Sequence, residues 1–152
     1  MTVQKEFTDK NGNYDILLKH VADRKLRRII DVGAWWGPWS LFWQPHAERL
    51  EIFEPNKRIL PMLEHNISTY DNCTLHKTAL GESRGTVSMG YDTHSGTNHV
   101  TDPKGDTGIN TLDSYNFDNV DVIKIDVEGY EMPLLKGAQH TSMTNSPLLP
   151  LE

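Results

Sequence analysis

Apolar residues along the chain form short runs that alternate with segments of helical spacing. The run at 28–32 is rich in β-branched residues, as buried strands of parallel sheets are. The predicted strands are 28–32, 50–54, 74–81, 85–89, 120–129 and 147–152. Helices are predicted over 13–21, from Pro38 onward, over 57–67 with a start delayed by Pro61, and around 134–138. This alternation predicts an α/β fold, a mostly parallel sheet with helices on both faces.

A glycine-punctuated turn follows the first strand, and it runs from Asp31 to Gly37. Gly33 and Gly37 suit a tight strand-to-helix turn that a ligand can approach, so the turn is predicted to bind a nucleoside. Nicotinamide-binding proteins carry G-x-G-x-x-G, whereas Asp31 stands here where the first glycine would be. A carboxylate repels a pyrophosphate but suits the ammonium group of a methionine-derived sulfonium cofactor. A bare strand–turn–helix without a ligand also fits this pattern.

A second acid stands at the end of the second predicted strand. Glu54 follows an apolar run, and Pro55 stops the strand directly after it. The interval from Asp31 is close to the roughly 20 residues at which a second-strand acid binds ribose hydroxyls. Glu54 is therefore predicted to bind ribose, and the alternative is an acid that is solvated or caps a helix.

Three charged residues alternate with apolar ones along the predicted strand 120–129. Strand alternation places Lys124, Asp126 and Glu128 on one face. Charges on a central strand are costly unless they serve a site, and Gly129 opens a loop at the strand end where ligands of such sheets bind. We expect a site here, while an edge strand with a solvated face is the alternative.

Several motifs together resemble one family, the FkbM-type methyltransferases. They are Asp31-Val32-Gly33-Ala34 with Gly37, Glu54-Pro55-Asn56, Thr111-Leu112-Asp113, Ile123 to Glu131 and Leu135-Lys136-Gly137-Ala138. The resemblance implies a Rossmann-like class I fold and S-adenosyl-L-methionine-dependent O-methylation of a hydroxyl on a sugar or small molecule. One residue departs from the family pattern, because Trp35 stands where asparagine is usual.

The resemblance and the motifs together assign the site. The residues predicted to bind the cofactor are Asp31, Gly33, Ala34, Trp35, Gly37, Glu54, Pro55, Thr78, Ala79 and Asp126. Asp126 and Glu128 are predicted to act as a base or as ligands of a metal that assists the acceptor hydroxyl, with Lys124 as their charge partner. A divalent metal is an option without an assigned ligand set. Two alternatives remain, a cofactor-binding remnant without catalysis and an NAD-type Rossmann oxidoreductase.

Composition limits the classes of binding partner and the cellular location that we expect for this protein. The chain has 152 residues, which we interpret as a single domain over 1–152. Its net charge of −6 argues against binding nucleic acid or an anionic membrane. A single cysteine, Cys73, excludes an internal disulfide. Without an apolar run of membrane-spanning length or a signal-peptide core, a cytoplasmic protein is expected.

Other segments carry weaker predictions. Residues 91–110 are predicted as a long loop, in which His94 or His99 could act as a base. Trp39 and Trp43, four residues apart, are predicted to pack in the core, whereas Trp35 and Trp36 could line the cofactor or acceptor. The sheet is expected to end early, without the C-terminal strands of the class, and its open edge at 148–151 predicts a homo-oligomer.

Overall fold

The computed structural model describes the backbone of residues 25–91 and 98–150, with side chains for 25–90 and 105–150. The predicted helix over 13–21, His94, the side chain of His99 and residues 151–152 lie outside these ranges. The strands are β1 Leu26–Val32, β2 Ala47–Phe53, β3 Cys73–His76, β4 Ala79–Leu80, β5 Gly85–Tyr91, β6 Asn98–Asn110 and β7 Val120–Ile125. The α-helices are α1 Pro38–Trp43, α2 Leu60–Ile67, α3 Glu131–Lys136 and α4 Gln139–Asn145.

The main sheet has the strand order β3-β2-β1-β7, and every pair in it is parallel. The chain returns to this sheet after α4, where Leu148 forms a parallel bridge with Val122 of β7. The N–H of Ile125 donates to the carbonyl of Pro150 at 3.0 Å, which continues the pairing. The predicted α/β fold with a mostly parallel sheet is confirmed, and the predicted fifth strand is a short bridge beside β7.

Helices cover both faces of this sheet, as predicted. On one face, Trp39 and Trp43 of α1 and Leu63 of α2 pack against β1 and β2. Trp39 and Trp43 are buried with ring centroids 5.5 Å apart, so the core prediction for this pair is confirmed. On the other face, Leu134 of α3 packs against β1 and β7. Helix α2 begins at Leu60 with Pro61 in its first turn, which confirms the late start.

A second, three-stranded sheet of order β4-β6-β5 corrects two predictions. The predicted strand 74–81 is two strands, because the chain leaves the main sheet after His76 and joins the second sheet at Ala79. The predicted loop 91–110 is wrong over 98–110, which is β6 paired antiparallel with β5. Its sequence lacks an apolar alternation, and in its described part Thr107 and Ile109 are the buried positions. Pairing with β5 therefore decides the conformation where local preference does not.

The oligomeric state and the cytoplasmic location stay predictions, because the structure of a single chain tests neither of them. Leu148 and Leu149, at the outer edge of the sheet, are 38% and 41% exposed. Within the described ranges, no helix has the length and apolar character needed to span a membrane.

Candidate functional site

Several of the predicted site residues lie where β1, β2 and β7 end, and the turn after β1 is at the centre of this region. They are Asp31, Gly33, Glu54, Lys124 and Asp126. The N–H groups of Gly33 and Ala34 both donate to the carbonyl of Phe53, at 3.0 and 3.3 Å. Gly33 has φ +78, and a Cβ added there would lie 1.7 Å from the carbonyl oxygen of Asp126. Glycine is required at position 33 because the chain after β7 crosses directly against this turn.

Asp31 is a completely buried carboxylate beneath the turn. Its Oδ2 accepts a hydrogen bond from the Ser40 hydroxyl at 2.5 Å, which ties β1 to α1. Its Oδ1 lies 3.3 Å from the Lys124 ammonium. Because no surface of Asp31 is accessible, its effect on a ligand passes through the groups it holds. Sequence reasoning did not assign Ser40 a role, since a serine one position after Trp39 on a helix carries no distinctive signal.

Lys124 connects the ends of β1 and β7. Its ammonium donates to the carbonyl of Gly33 at 3.0 Å and lies 3.5 Å from Asp126 Oδ2, in addition to the contact with Asp31. Lys124 is 4% exposed, so these contacts replace its hydration. Of the two acids predicted to have Lys124 as their charge partner, Asp126 lies beside it, and the buried Asp31 is a further partner.

Glu54 follows β2 and is almost completely buried. Its Oε2 accepts the N–H of Trp35 and its Oε1 accepts the N–H of Asn56, both at 2.8 Å. Burial raises the pKa of the Glu54 carboxyl above its ordinary value, and the two N–H donors partly offset this effect. The charge of Asp31 raises this pKa further, and the charge of Lys124 lowers it.

Asn56 and Asn66 are two residues that sequence reasoning left without a role. Asn56 is buried, and its Oδ1 accepts the N–H of Arg58 at 2.9 Å, which shapes the entry into α2. The side chain of Asn66 donates to the carbonyl of Trp36 at 2.8 Å and so anchors the glycine turn to α2. The position of Asn56 after Glu54-Pro55 is a turn signal, whereas nothing local indicates the role of Asn66.

The predicted strand 120–129 is too long, and this corrects the common face of Lys124, Asp126 and Glu128. Strand β7 ends at Ile125. The Asp126 N–H still donates to the carbonyl of Val32 at 3.0 Å, and its side chain is 34% exposed beside Lys124. Glu128 is exposed and has φ +52, so strand alternation does not apply to it. The turn at 126–130 breaks the alternation because two consecutive residues, Glu128 and Gly129, have positive φ.

Glu128 is also not the cap of the following helix. Helix α3 has Tyr130 as its N-cap and no capping hydrogen bond from a side chain. The carboxylate of Glu131 accepts the N–H of Gly129 at 3.0 Å instead. The structure therefore brings Asp126 and Lys124 together with Asp31 and places Glu128 on the exposed turn beside them.

The other predicted cofactor residues lie around the turn and in the second sheet. Ala34 is buried in the core, and Gly37, with φ +92, is the N-cap of α1 and packs against Leu63. A role for both in cofactor binding stays a prediction. Pro55 is partly exposed beside Glu54. Thr78 and Ala79 are buried, with the Thr78 hydroxyl donating to the carbonyl of Gly108 at 2.8 Å. A role for Thr78 and Ala79 in cofactor binding stays a prediction.

The combined charge of the site favours a cationic ligand. Asp31, Glu54 and Asp126 carry three carboxylates around the single ammonium of Lys124. When these groups are ionised, the region is negative and attracts ammonium or sulfonium groups, while it repels a pyrophosphate.

Within residues 25–90 and 105–150, no group of three or more His, Cys, Asp or Glu side chains is arranged to hold a metal ion.

Comparisons with known proteins agree with this geometry. A family model described as the methyltransferase FkbM domain matches residues 31–149. A search among curated proteins found no match. Among solved structures, the chain is similar to a methyltransferase FkbM from Methylobacillus flagellatus KT, with a TM-score of 0.62 and 21% identity over 84% of this chain. The match covers 33% of the Methylobacillus protein, so this chain spans about a third of that protein's length.

Two further structures share the fold at lower identity. An rRNA methylase from Streptococcus thermophilus has a TM-score of 0.56 and 11% identity, covering 91% of this chain and 66% of that one. A precorrin-6y C5,15-methyltransferase from Geobacter metallireducens GS-15 has a TM-score of 0.50 and 14% identity, covering 92% and 60%. The predicted Rossmann-like class I methyltransferase fold is confirmed.

Proposed function

Because the chain belongs to the FkbM family of methyltransferase domains, we propose that it binds S-adenosyl-L-methionine and methylates a hydroxyl oxygen. The acceptor that we propose is a sugar or another small molecule with a free hydroxyl. The alternative of an NAD-type oxidoreductase has no support from the family match, and the negative site opposes a pyrophosphate.

The observation that carries this proposal is the environment of Glu54. A buried carboxylate whose two oxygens each accept one backbone N–H is fixed in place and retains lone pairs for further donors. The two hydroxyls of a ribose are such donors, and they would offset the burial of the charge.

The remaining groups fit the rest of the cofactor. The backbone of Gly33 and Ala34 lines the turn, and the negative charge around Asp31 and Asp126 suits the ammonium and sulfonium groups. When bound, the cofactor supplies an electrophilic methyl group. Asp126 is partly exposed at the open end of β7, so its carboxylate is accessible to accept the proton of an acceptor hydroxyl.

Titration of S-adenosylhomocysteine, the product of the proposed transfer, tests the cofactor assignment. We expect E54A to weaken binding about tenfold or more in calorimetry, because charge-assisted hydrogen bonds are lost. E48A is the matched control, since Glu48 is an exposed glutamate near the other end of β2. Equal affinities for the parent chain and E54A would contradict the ribose assignment.

Turnover with labelled S-adenosyl-L-methionine and a panel of sugar and small-molecule hydroxyls tests the reaction. D126N should lower turnover about a hundredfold, the usual effect of losing a positioned acid–base group. Its effect on cofactor affinity should be smaller, because Asp31 and Glu54 still supply negative charge at the site. E128Q and a chelator, assayed in parallel, test the predicted role of Glu128 and the option of a divalent ion. Binding without transfer to any acceptor would favour the alternative of a non-catalytic cofactor-binding remnant.

A further inference from the structure

Trp35 has a backbone conformation that its residue type disfavours. Its φ is +54, in the left-handed region, where asparagine and glycine are tolerated better than bulky residues. Two of the other described non-glycine residues with positive φ are indeed asparagines, Asn116 and Asn119. Tryptophan at position 35 therefore costs stability that glycine or asparagine would cost less or not at all.

Packing does not compensate for this cost. Trp35 is 50% exposed, whereas Trp39 and Trp43 are buried in the core. The described core on this face of the sheet includes Ala34, directly before Trp35, but not Trp35 itself. A strained conformation combined with a large exposed ring indicates a functional use of that ring.

The surroundings of Trp35 hold it at one place in the site. Its N–H donates to Oε2 of Glu54 at 2.8 Å, so the backbone of Trp35 is held against the carboxylate that we assign to ribose binding. Its indole lies 5.7 Å from that of Trp36, at an interplanar angle of 55°. The carbonyl of Trp36 is in turn held by the Asn66 side chain at 2.8 Å. The Trp35 ring is therefore supported from one side and anchored beside Glu54.

We infer that Trp35 forms an aromatic wall for the nucleoside of the cofactor, with its indole face packed on the ring system next to the ribose bound by Glu54. This inference rests on the proposed function. Planar π-faces pack well on heterocycles, and an indole anchored in place loses little freedom on binding. The energy lost in the unfavourable backbone conformation is then recovered when the ligand covers the exposed ring.

Opposite effects on stability and binding test this assignment. W35N removes the ring and places a residue that tolerates positive φ, so we expect its melting temperature to rise by about 2–8 °C. Its affinity for S-adenosylhomocysteine should fall about 5- to 100-fold, the range for loss of one base–aromatic stack. W35F keeps a ring and should bind within a few-fold of the parent chain. M143A, which truncates an exposed methionine on α4, should change neither quantity.

The nucleoside part of the ligand provides a further readout. Adenosine should lose affinity for W35N by a similar factor, while homocysteine should not. In the parent chain, S-adenosylhomocysteine should protect tryptophan fluorescence from acrylamide quenching, and this protection should be absent in W35F.

Each contrary result has a distinct meaning. Unchanged affinity in W35N, with the parent chain binding normally, would overturn the role of Trp35 and leave the proposed function intact. A lower melting temperature in W35N would show that the indole supports the fold. Failure of the parent chain to bind S-adenosylhomocysteine would overturn both the proposed function and this inference.

Discussion

Replacing Gly33 by alanine tests the close approach between the first turn and the end of β7. The added Cβ would lie 1.7 Å from the Asp126 carbonyl oxygen, a backbone atom that cannot rotate away. The φ of +78 costs a non-glycine residue about 1–2 kcal/mol. The backbone shift that relieves the overlap costs about 1–3 kcal/mol more. We expect G33A to lower the free energy of unfolding by about 2–5 kcal/mol.

G129A separates the two contributions. Gly129 has φ +91, but nothing lies within 4 Å of a Cβ added there. This variant should therefore show the conformational cost alone, about 1–2 kcal/mol. In a domain of this size, 1 kcal/mol changes the melting temperature by about 2–4 °C. The melting temperature of G33A should then lie about 2–12 °C below that of G129A.

Urea denaturation and thermal melting, both followed by circular dichroism, measure these losses. Urea gives the free energy directly, and an unchanged m-value would indicate that both variants unfold as the parent chain does. Equal losses in G33A and G129A would refute the reasoning, because they would show that the turn and the chain after β7 separate without cost.

Three further predictions concern the charged and titrating groups. K124M should lower the free energy of unfolding, measured in urea, by about 3–5 kcal/mol, because it leaves the buried Asp31 without its ion-pair partner. A smaller loss in the D31N/K124M double variant would confirm that the two residues are coupled. Additive losses would contradict the coupling. The pKa of Glu54 is raised in the folded chain, so the folded state favours the protonated carboxyl. The stability that this group contributes is fully present below the pKa it has in the unfolded chain, and it is lost as the pH rises through the pKa it has in the folded chain. Ribose hydroxyls favour the ionised carboxylate, so calorimetry from about pH 7 to about pH 4 should show S-adenosylhomocysteine affinity falling with pH, and less so in E54Q. Burial raises the pKa of the Cys73 thiol to about 11. Alkylation by iodoacetamide at about pH 8 should therefore be about a hundredfold slower than for a free thiol. In urea, where the chain is unfolded, Cys73 should react at the rate of a free thiol.

The parts of the fold that sequence predicts well are those where local pattern and tertiary position agree. Strand β1 has buried β-branched residues on both faces, with Ile29 in one core and Ile30 and Val32 in the other, and this follows from its central place in a parallel sheet. The late start of α2 follows in the same way from Pro61. The convergence of Asp31 and Glu54 is predictable because parallel neighbouring strands end at the same edge.

The errors arise where pairing with a distant segment decides the structure. Strand β6 has little apolar alternation and is held by β5 across shifts of register, so no short window of sequence indicates it. The alternation through β7 continues in the sequence beyond Ile125, but the chain turns at Glu128, a residue with positive φ that composition does not reveal. The roles of Ser40 and Asn66 likewise depend on which helix lies against the turn.

The three acids at the ends of the strands differ in burial and in their partners, and this favours different roles for them. Asp31 is fully enclosed by Ser40 and Lys124, so it can set the local charge and hold the turn but cannot reach a substrate. Glu54 is fixed by two N–H donors and suits hydroxyls that bind in a fixed position. Asp126 is the one of the three whose side chain is substantially accessible, and its carboxylate lies 3.5 Å from the Lys124 ammonium. A group that exchanges protons with an acceptor needs that access, and this is why the proposed reaction assigns the proton to Asp126.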